Sequence, residues 1–142
     1  GAIAGLATIT PAAGSVDVAS SLIIGLASGT ITFYAVYFKG KVSLDDALDV
    51  FAVHGLGGIL GLIGTGIFAT EGGLIDGQSK LFIANLLLIV STAFYSLLVT
   101  VIILKLIEFL PGIQLRSATA EEDNGLDISD HAERAYISDG AD

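Results

Sequence analysis

Apolar residues gather in four long blocks along the chain, separated by short polar punctuation. The first block, residues 1–10, ends at Thr10-Pro11-Ala12-Ala13-Gly14-Ser15. Pro11 there lacks an N–H and disfavours helix at the preceding residue. Asp17 marks this connection as water-facing. A second block runs from about 19 to 38, with Tyr34 and Tyr37 near one end as interfacial anchors, and stops at Lys39-Gly40-Lys41. Within it Gly25 and Gly29, extended by Ser21 and Thr32, form a small-residue stripe suited to close helix packing. The third block spans about 46–69. A polar stretch over 70–80, with Glu71-Gly72-Gly73 and Asp76-Gly77, reads as a loop. The last block, about 81–110, is longer than the ~30 Å hydrocarbon core needs at ~1.5 Å per residue, so it should tilt or protrude. Lys105 and Glu108 near its end are placed to snorkel or to pair at i,i+3. The pattern predicts an all-α, polytopic membrane helix bundle.

The third block carries the chemistry. Ser43 stands where an N-cap belongs, and Asp46, three residues on, is placed to reach back to its backbone N–H as in a capping box. Asp45, Asp46 and Asp49 then fall in the first turns, where the helix dipole favours negative charge. Beyond Asp49 the run is uncharged except for one titratable side chain, His54. On a 3.6-residue period Ala47, Val50, Phe51, His54, Gly57, Gly58, Gly61, Thr65 and Phe68 share a face. An imidazole thus lies beside a strip almost without side chains. That strip serves either as a groove for another helix or as room for something small to pass. A polar residue inside a span is costly, which favours a functional role for His54 over a merely packed one.

Composition supports the membrane reading: mean hydropathy is +0.80 and 53% of residues are hydrophobic. The net charge of −9 is concentrated in the tail, where eight carboxylates after Ser117 face Arg134 alone. No basic stripe is present to bind nucleic acid. The absence of cysteine excludes disulfides, thiolate catalysis and Cys-ligated metals. The chain begins Gly1-Ala2-Ile3 without Met, already inside an apolar run and without a basic signal-peptide region, so preceding helices are expected. By parity Lys39, Lys41, Lys105 and Arg116 share one face, while Asp17, Glu71, Asp76 and Lys80 lie on the other. The positive-inside rule then makes residues 1–115 the transmembrane region of a multi-pass cell-membrane protein and 116–142 a cytoplasmic tail.

Three blocks together resemble the ammonium transporter (Amt/Mep/Rh) family, in the C-terminal part of its microbial Amt members. They are Gly1-Ala2-Ile3-Ala4-Gly5-Leu6 through Thr10-Pro11-Ala12; Asp49-Val50-Phe51-Ala52-Val53-His54-Gly55 through Thr65-Gly66-Ile67-Phe68; and Gly125-Leu126-Asp127-Ile128-Ser129 through His131-Ala132-Glu133-Arg134-Ala135-Tyr136. The order and spacing match over essentially the whole chain. The resemblance implies a homotrimer of eleven-helix subunits used in nitrogen uptake, each with a narrow apolar pore between inverted five-helix repeats. This chain would supply part of the eighth helix and the ninth to eleventh. It makes His54 the second of two pore histidines, with Ile3 and Thr10 lining the pore nearby and Val50 lining its cytoplasmic side. Asp46 matches an acidic helix-start position. Ala52 stands where Gly is common, which would tighten packing beside the pore. Ala132 replaces the usual Gly between His and Glu, which would alter the tail's backbone path.

Elementary electrostatics fits that role. The charge of ammonium is prohibitive in a dry apolar pore, whereas ammonia is neutral and alkali cations have no proton to give up. Desolvation disfavours a charged imidazolium, and a neutral imidazole offers one donor and one acceptor for relaying a proton. Rival readings are an ammonium sensor of the same fold, a glycine-zipper assembly protein, and a membrane metalloenzyme. The last is disfavoured because His54 has no His or carboxylate at i+3 or i+4 and His131 lies in another compartment. We therefore expect no enzyme activity, cofactor or metal. The tail's acidity suits disorder. Ile128, Ala132, Ala135 and Tyr136 nevertheless give it an apolar side. The resemblance has Asp127, Ile128, His131, Glu133 and Tyr136 dock the tail under a neighbouring subunit and help receive a PII-type regulator.

Overall fold

The computed structural model describes residues 1–42, 45–113 and 115–133. Ser43 and Tyr136 lie outside the described residues. Helix α1, Ala2–Ile9, tightens into a 3₁₀ turn at Thr10–Ala12. Helix α2 is Val18–Lys39. A π-helical turn, Phe51–Gly55, leads into α3, Leu56–Phe68, and α4 follows over Lys80–Glu108. Two short helices, α5 (Thr119–Asn124) and α6 (Leu126–His131), end the described chain. Among the described residues there is no strand, only an isolated bridge between Val16 and Ala69. Three helical stretches, Val18–Lys39, Phe51–Phe68 and Lys80–Glu108, are long and apolar enough to cross a membrane.

The chain divides into two compact units, Gly1–Tyr95 and a second beginning at Ser96. In the first, small residues set the packing. Ala4 and Thr8 of α1, Ser28 and Thr32 of α2, and Gly57, Gly61 and Thr65 of α3 are buried. Thr8 Oγ1 and Ser28 Oγ are 2.6 Å apart, and Ser28 also donates to the Ala4 carbonyl at 3.1 Å. Away from water such bonds satisfy hydroxyls that lipid cannot. A Cβ on Gly61 would collide with the Thr8 carbonyl oxygen and come within 2.6 Å of Pro11 Cγ. One on Gly64 would meet Ile24 at 3.0 Å, and one on Gly66 the Phe82 backbone at 2.9 Å. Asn85 Nδ2 donates to the Leu62 carbonyl at 2.9 Å, tying α4 to α3.

The glycines therefore do not form one face. Gly57 and Gly61 receive α1, Gly64 receives α2 and Gly66 receives α4, while a methyl placed on Gly58 would find no neighbour within 4 Å. Gly25 and Gly29, expected to pack closely, likewise have nothing within 4 Å among the described residues. The α2 contact to α1 runs through Ser28 instead. Leu22, Leu26, Leu87 and Phe94 are exposed.

Loops close by specific bonds. Asp17 is the N-cap of α2, accepting from Ser20 N–H at 2.7 Å. That bond holds its carboxyl below the ordinary carboxylate range. The α3–α4 connection folds back so that Leu74 and Ile75 N–H reach the Gly66 and Ile67 carbonyls. Asp76 accepts from Gly72 N–H and Gln78, and Gly72 and Gly77 both take φ of 80°.

In the second unit, Lys105 pairs with Glu108 at 2.6 Å. Arg116 grips both carboxylate oxygens of Glu122, at 2.7 and 3.1 Å, and draws that carboxyl below its usual range. Ser129 Oγ donates to the Glu121 carbonyl, joining α6 to α5. Ala132 closes α6 in the left-handed region at φ 54°, with its N–H on the Ile128 carbonyl. Alanine here takes a conformation natural to glycine, at a cost of roughly 1–2 kcal/mol.

Candidate functional site

The helix carrying His54 begins later than the sequence pattern suggests. Asp45 to Asp49 are not in its first turns: Ala47 and Leu48 form a turn, and helix starts at Val50. Asp46 works forward into the helix; the expected reach back to Ser43 falls outside the described residues. Its two carboxylate oxygens accept from Val50 N–H at 2.9 Å and Phe51 N–H at 3.1 Å. A helix start leaves such N–H groups without intrahelical partners, so this is a side-chain cap displaced by several residues. Asp49 adopts φ 55°, a left-handed conformation that Asp tolerates better than most side chains. Its carbonyl accepts from Val53 N–H at 2.9 Å, and its carboxylate pairs with Lys39.

The next turn is widened. Leu56 N–H bonds to the Phe51 carbonyl, an i→i+5 closure, and the Phe51 ring lies where a Gly55 Cβ would come within 2.9 Å. Gly55 therefore admits the ring that fills this turn. Single π turns inside α-helices recur at functional sites. Here the turn carries His54.

His54 lies at the meeting of two open cavities. The first, about 540 Å³, is lined by Ile3, Leu6, Ala7, Thr10, Pro11, His54, Gly58 and Leu62. His54 is its one titratable lining residue, and Thr10 spends its hydroxyl on the Leu6 carbonyl at 2.9 Å. The second, about 760 Å³, is bounded by Ile3, Gly29, Thr32, Tyr34, Leu48, Asp49, Val53 and His54, among others. Buried Thr32 has an Oγ1 without a hydrogen-bond partner among the described residues. No hydrogen bond to the imidazole is present among them either, leaving both ring nitrogens available at the cavity surface.

Ile3, Thr10 and His54 are thus brought together, whereas Val50, half exposed, lines neither cavity. Ala52 is buried, but against a separate hollow of about 210 Å³ with Ala35, Lys39 and Leu56 rather than beside His54. In the tail Ile128, His131 and Glu133 are exposed and Asp127 is half-buried. Sequence reasoning missed Thr8, Ser28, Asn85 and the Lys39–Asp49 pair. A small hydroxyl or amide inside an apolar block was the available signal for the first three. Among the described residues no cluster of metal-ligating side chains occurs.

Helices of membrane length, packed through glycine and small hydroxyls around a histidine at an apolar hollow, define a polytopic helical membrane protein. The chain belongs to the Ammonium Transporter Family, whose model matches residues 1–136. It is 43% identical over 141 residues to the ammonium transporter Amt1 of Archaeoglobus fulgidus, covering 96% of this chain and 36% of that protein. Identity to the ammonium transporter of Bacillus subtilis is 43% over 145 residues, covering 96% and 35%. Among solved structures, Candida albicans Mep2 superposes with a TM-score of 0.76 at 37% identity, over 84% of this chain and 29% of that one. Saccharomyces cerevisiae Mep2 gives 0.76 at 34% identity, over 83% and 29%. The chain spans about a third of the length of the curated relatives it matches.

Proposed function

We propose that this chain is the C-terminal part of a protein that moves ammonium across the cell membrane. Ammonium is deprotonated on entry, and ammonia passes along an apolar path in which His54 is one of a histidine pair. The observation carrying this reading is a single titratable side chain at a cavity otherwise lined by apolar groups and an internally satisfied threonine. Such a wall repels a bare cation and accepts a neutral molecule that needs one or two hydrogen bonds. An imidazole with two free nitrogens supplies one donor and one acceptor to that molecule, or to a second imidazole. Family membership supports the same substrate.

The reading extends to assembly. Gly5, Gly25 and Gly29, where an added methyl would meet nothing within 4 Å among the described residues, suit contacts from the remaining helices of an eleven-helix subunit, and the subunits form a homotrimer. The segment from Arg116 onward is cytoplasmic. There the exposed Ile128, with His131, Glu133 and Tyr136, docks on an adjacent subunit or receives a PII-type regulator. Expression of the full-length protein in cells lacking their own ammonium uptake should restore growth on limiting ammonium. Membrane-inserted protein that fails to restore growth contradicts the proposal.

A further inference from the structure

Three observations converge on residues 46–49, just before the helix that carries His54. Lys39, in the last turn of α2, binds both the Asp49 carboxylate and the Asp46 backbone carbonyl. Its side chain is 18% exposed and that of Asp49 33% exposed, so the pair is only partly hydrated. Asp46 caps Val50 and Phe51, and Asp49 is held in a left-handed conformation immediately before the helix. The π turn that carries His54 starts two residues after Asp49.

A π turn holds one residue more than an α turn between bonded partners, so relaxing it to α geometry shifts the rotational setting of what it carries. His54 lines both cavities with the turn in this wide form. The turn is anchored at its downstream end by Gly57 and Gly61 against α1. At its upstream end the Lys39 side chain ties the capping loop to α2. Without it, Asp49 keeps an uncompensated carboxylate in a cavity it shares with His54, and the left-handed residue loses its clamp.

We propose that Lys39 is a positioning residue for His54: by clasping Asp49 and the Asp46 carbonyl it fixes the start, and hence the rotational setting, of the π turn that presents the imidazole to both cavities. The consequence for flux rests on the ammonium transport reading; the clasp itself does not. In a tight site a displaced reacting group costs up to about 10²-fold in rate.

The test uses the full-length protein and four forms: wild type, Lys39→Gln, Asp49→Asn and Lys39→Arg. Amide hydrogen exchange and ammonium flux into proteoliposomes are measured on each. Lys39→Gln and Asp49→Asn should speed exchange over residues 50–56 while leaving 57–68 as in the wild type. Maximal flux should fall about tenfold at an unchanged half-saturating ammonium concentration, and Lys39→Arg should retain both properties. Wild-type exchange at 50–56 in Lys39→Gln overturns the clasp, as does faster exchange spread over the whole of α3, which marks general unfolding. Altered exchange with wild-type flux overturns the positioning role. If the wild type itself carries no ammonium, the transport reading fails, and exchange over 50–56 still decides whether the clasp exists.

Discussion

Replacing His54 with alanine in the full-length protein should lower ammonium uptake by at least about 10²-fold, the scale on which a positioned proton-relaying group contributes. The substitution removes the one titratable lining residue of the first cavity and leaves a hole bounded by Ile3, Leu6, Pro11 and Leu62. Folding should survive. The imidazole makes no hydrogen bond among the described residues and its side chain is exposed at the cavity, so no packed partner is orphaned. Uptake of labelled substrate analogue at matched surface expression is the measurement. Wild-type uptake in His54→Ala removes the imidazole from the pathway.

Gly61→Ala should cost the assembly of the first unit rather than its transport chemistry. A methyl at this position is driven into the Thr8 backbone oxygen and Pro11. Backbone cannot rotate away as a flexible side chain does. Overpacking of this kind costs typically about 1–3 kcal/mol, enough to lower the folded yield severalfold. Gly58→Ala is the matched control, because no other element among the described residues comes within 4 Å of its Cβ position. Thermal stability of the detergent-solubilised protein, read by size-exclusion chromatography, should fall for Gly61→Ala and stay near wild type for Gly58→Ala. Equal behaviour of the two would mean that α1 does not close on α3 through Gly61.

The helical architecture was legible because lipid demands it: uninterrupted apolar runs with polar breaks have few other solutions. His54 stood out for the same reason, as the one titratable group in its run. The widened turn was not legible, since a face shared by Val50, His54 and the glycines after them follows only from an unbroken 3.6-residue period, which the π turn at Phe51–Gly55 interrupts. Gly58, at the His54 cavity, and Gly57 and Gly61, against α1, all lie in the regular α3 beyond that turn, where successive residues already point about 100° apart. The role of Asp46 was visible only in part. Its position marks a capping carboxylate, but its partners are Val50 and Phe51 downstream, because Asp49 turns left-handed and delays the helix. A residue's φ sign is not written in an Asp-rich stretch. The Lys39–Asp49 pair joins residues ten apart across a reversal in chain direction, which no helical periodicity reports. Gly25 and Gly29 carry a small-residue signal that meets no close neighbour among the described residues, as a piece covering about a third of its relatives allows.

Selectivity in a defined membrane tests the proton-stripping path most directly. Full-length protein reconstituted into liposomes should be challenged with inward gradients of ammonium and, separately, of potassium, an alkali cation of similar size with no proton to release. The prediction is flux above protein-free liposomes for ammonium, and none for potassium. No ammonium flux, or equal flux of the two cations, would contradict a path that admits its substrate by stripping a proton.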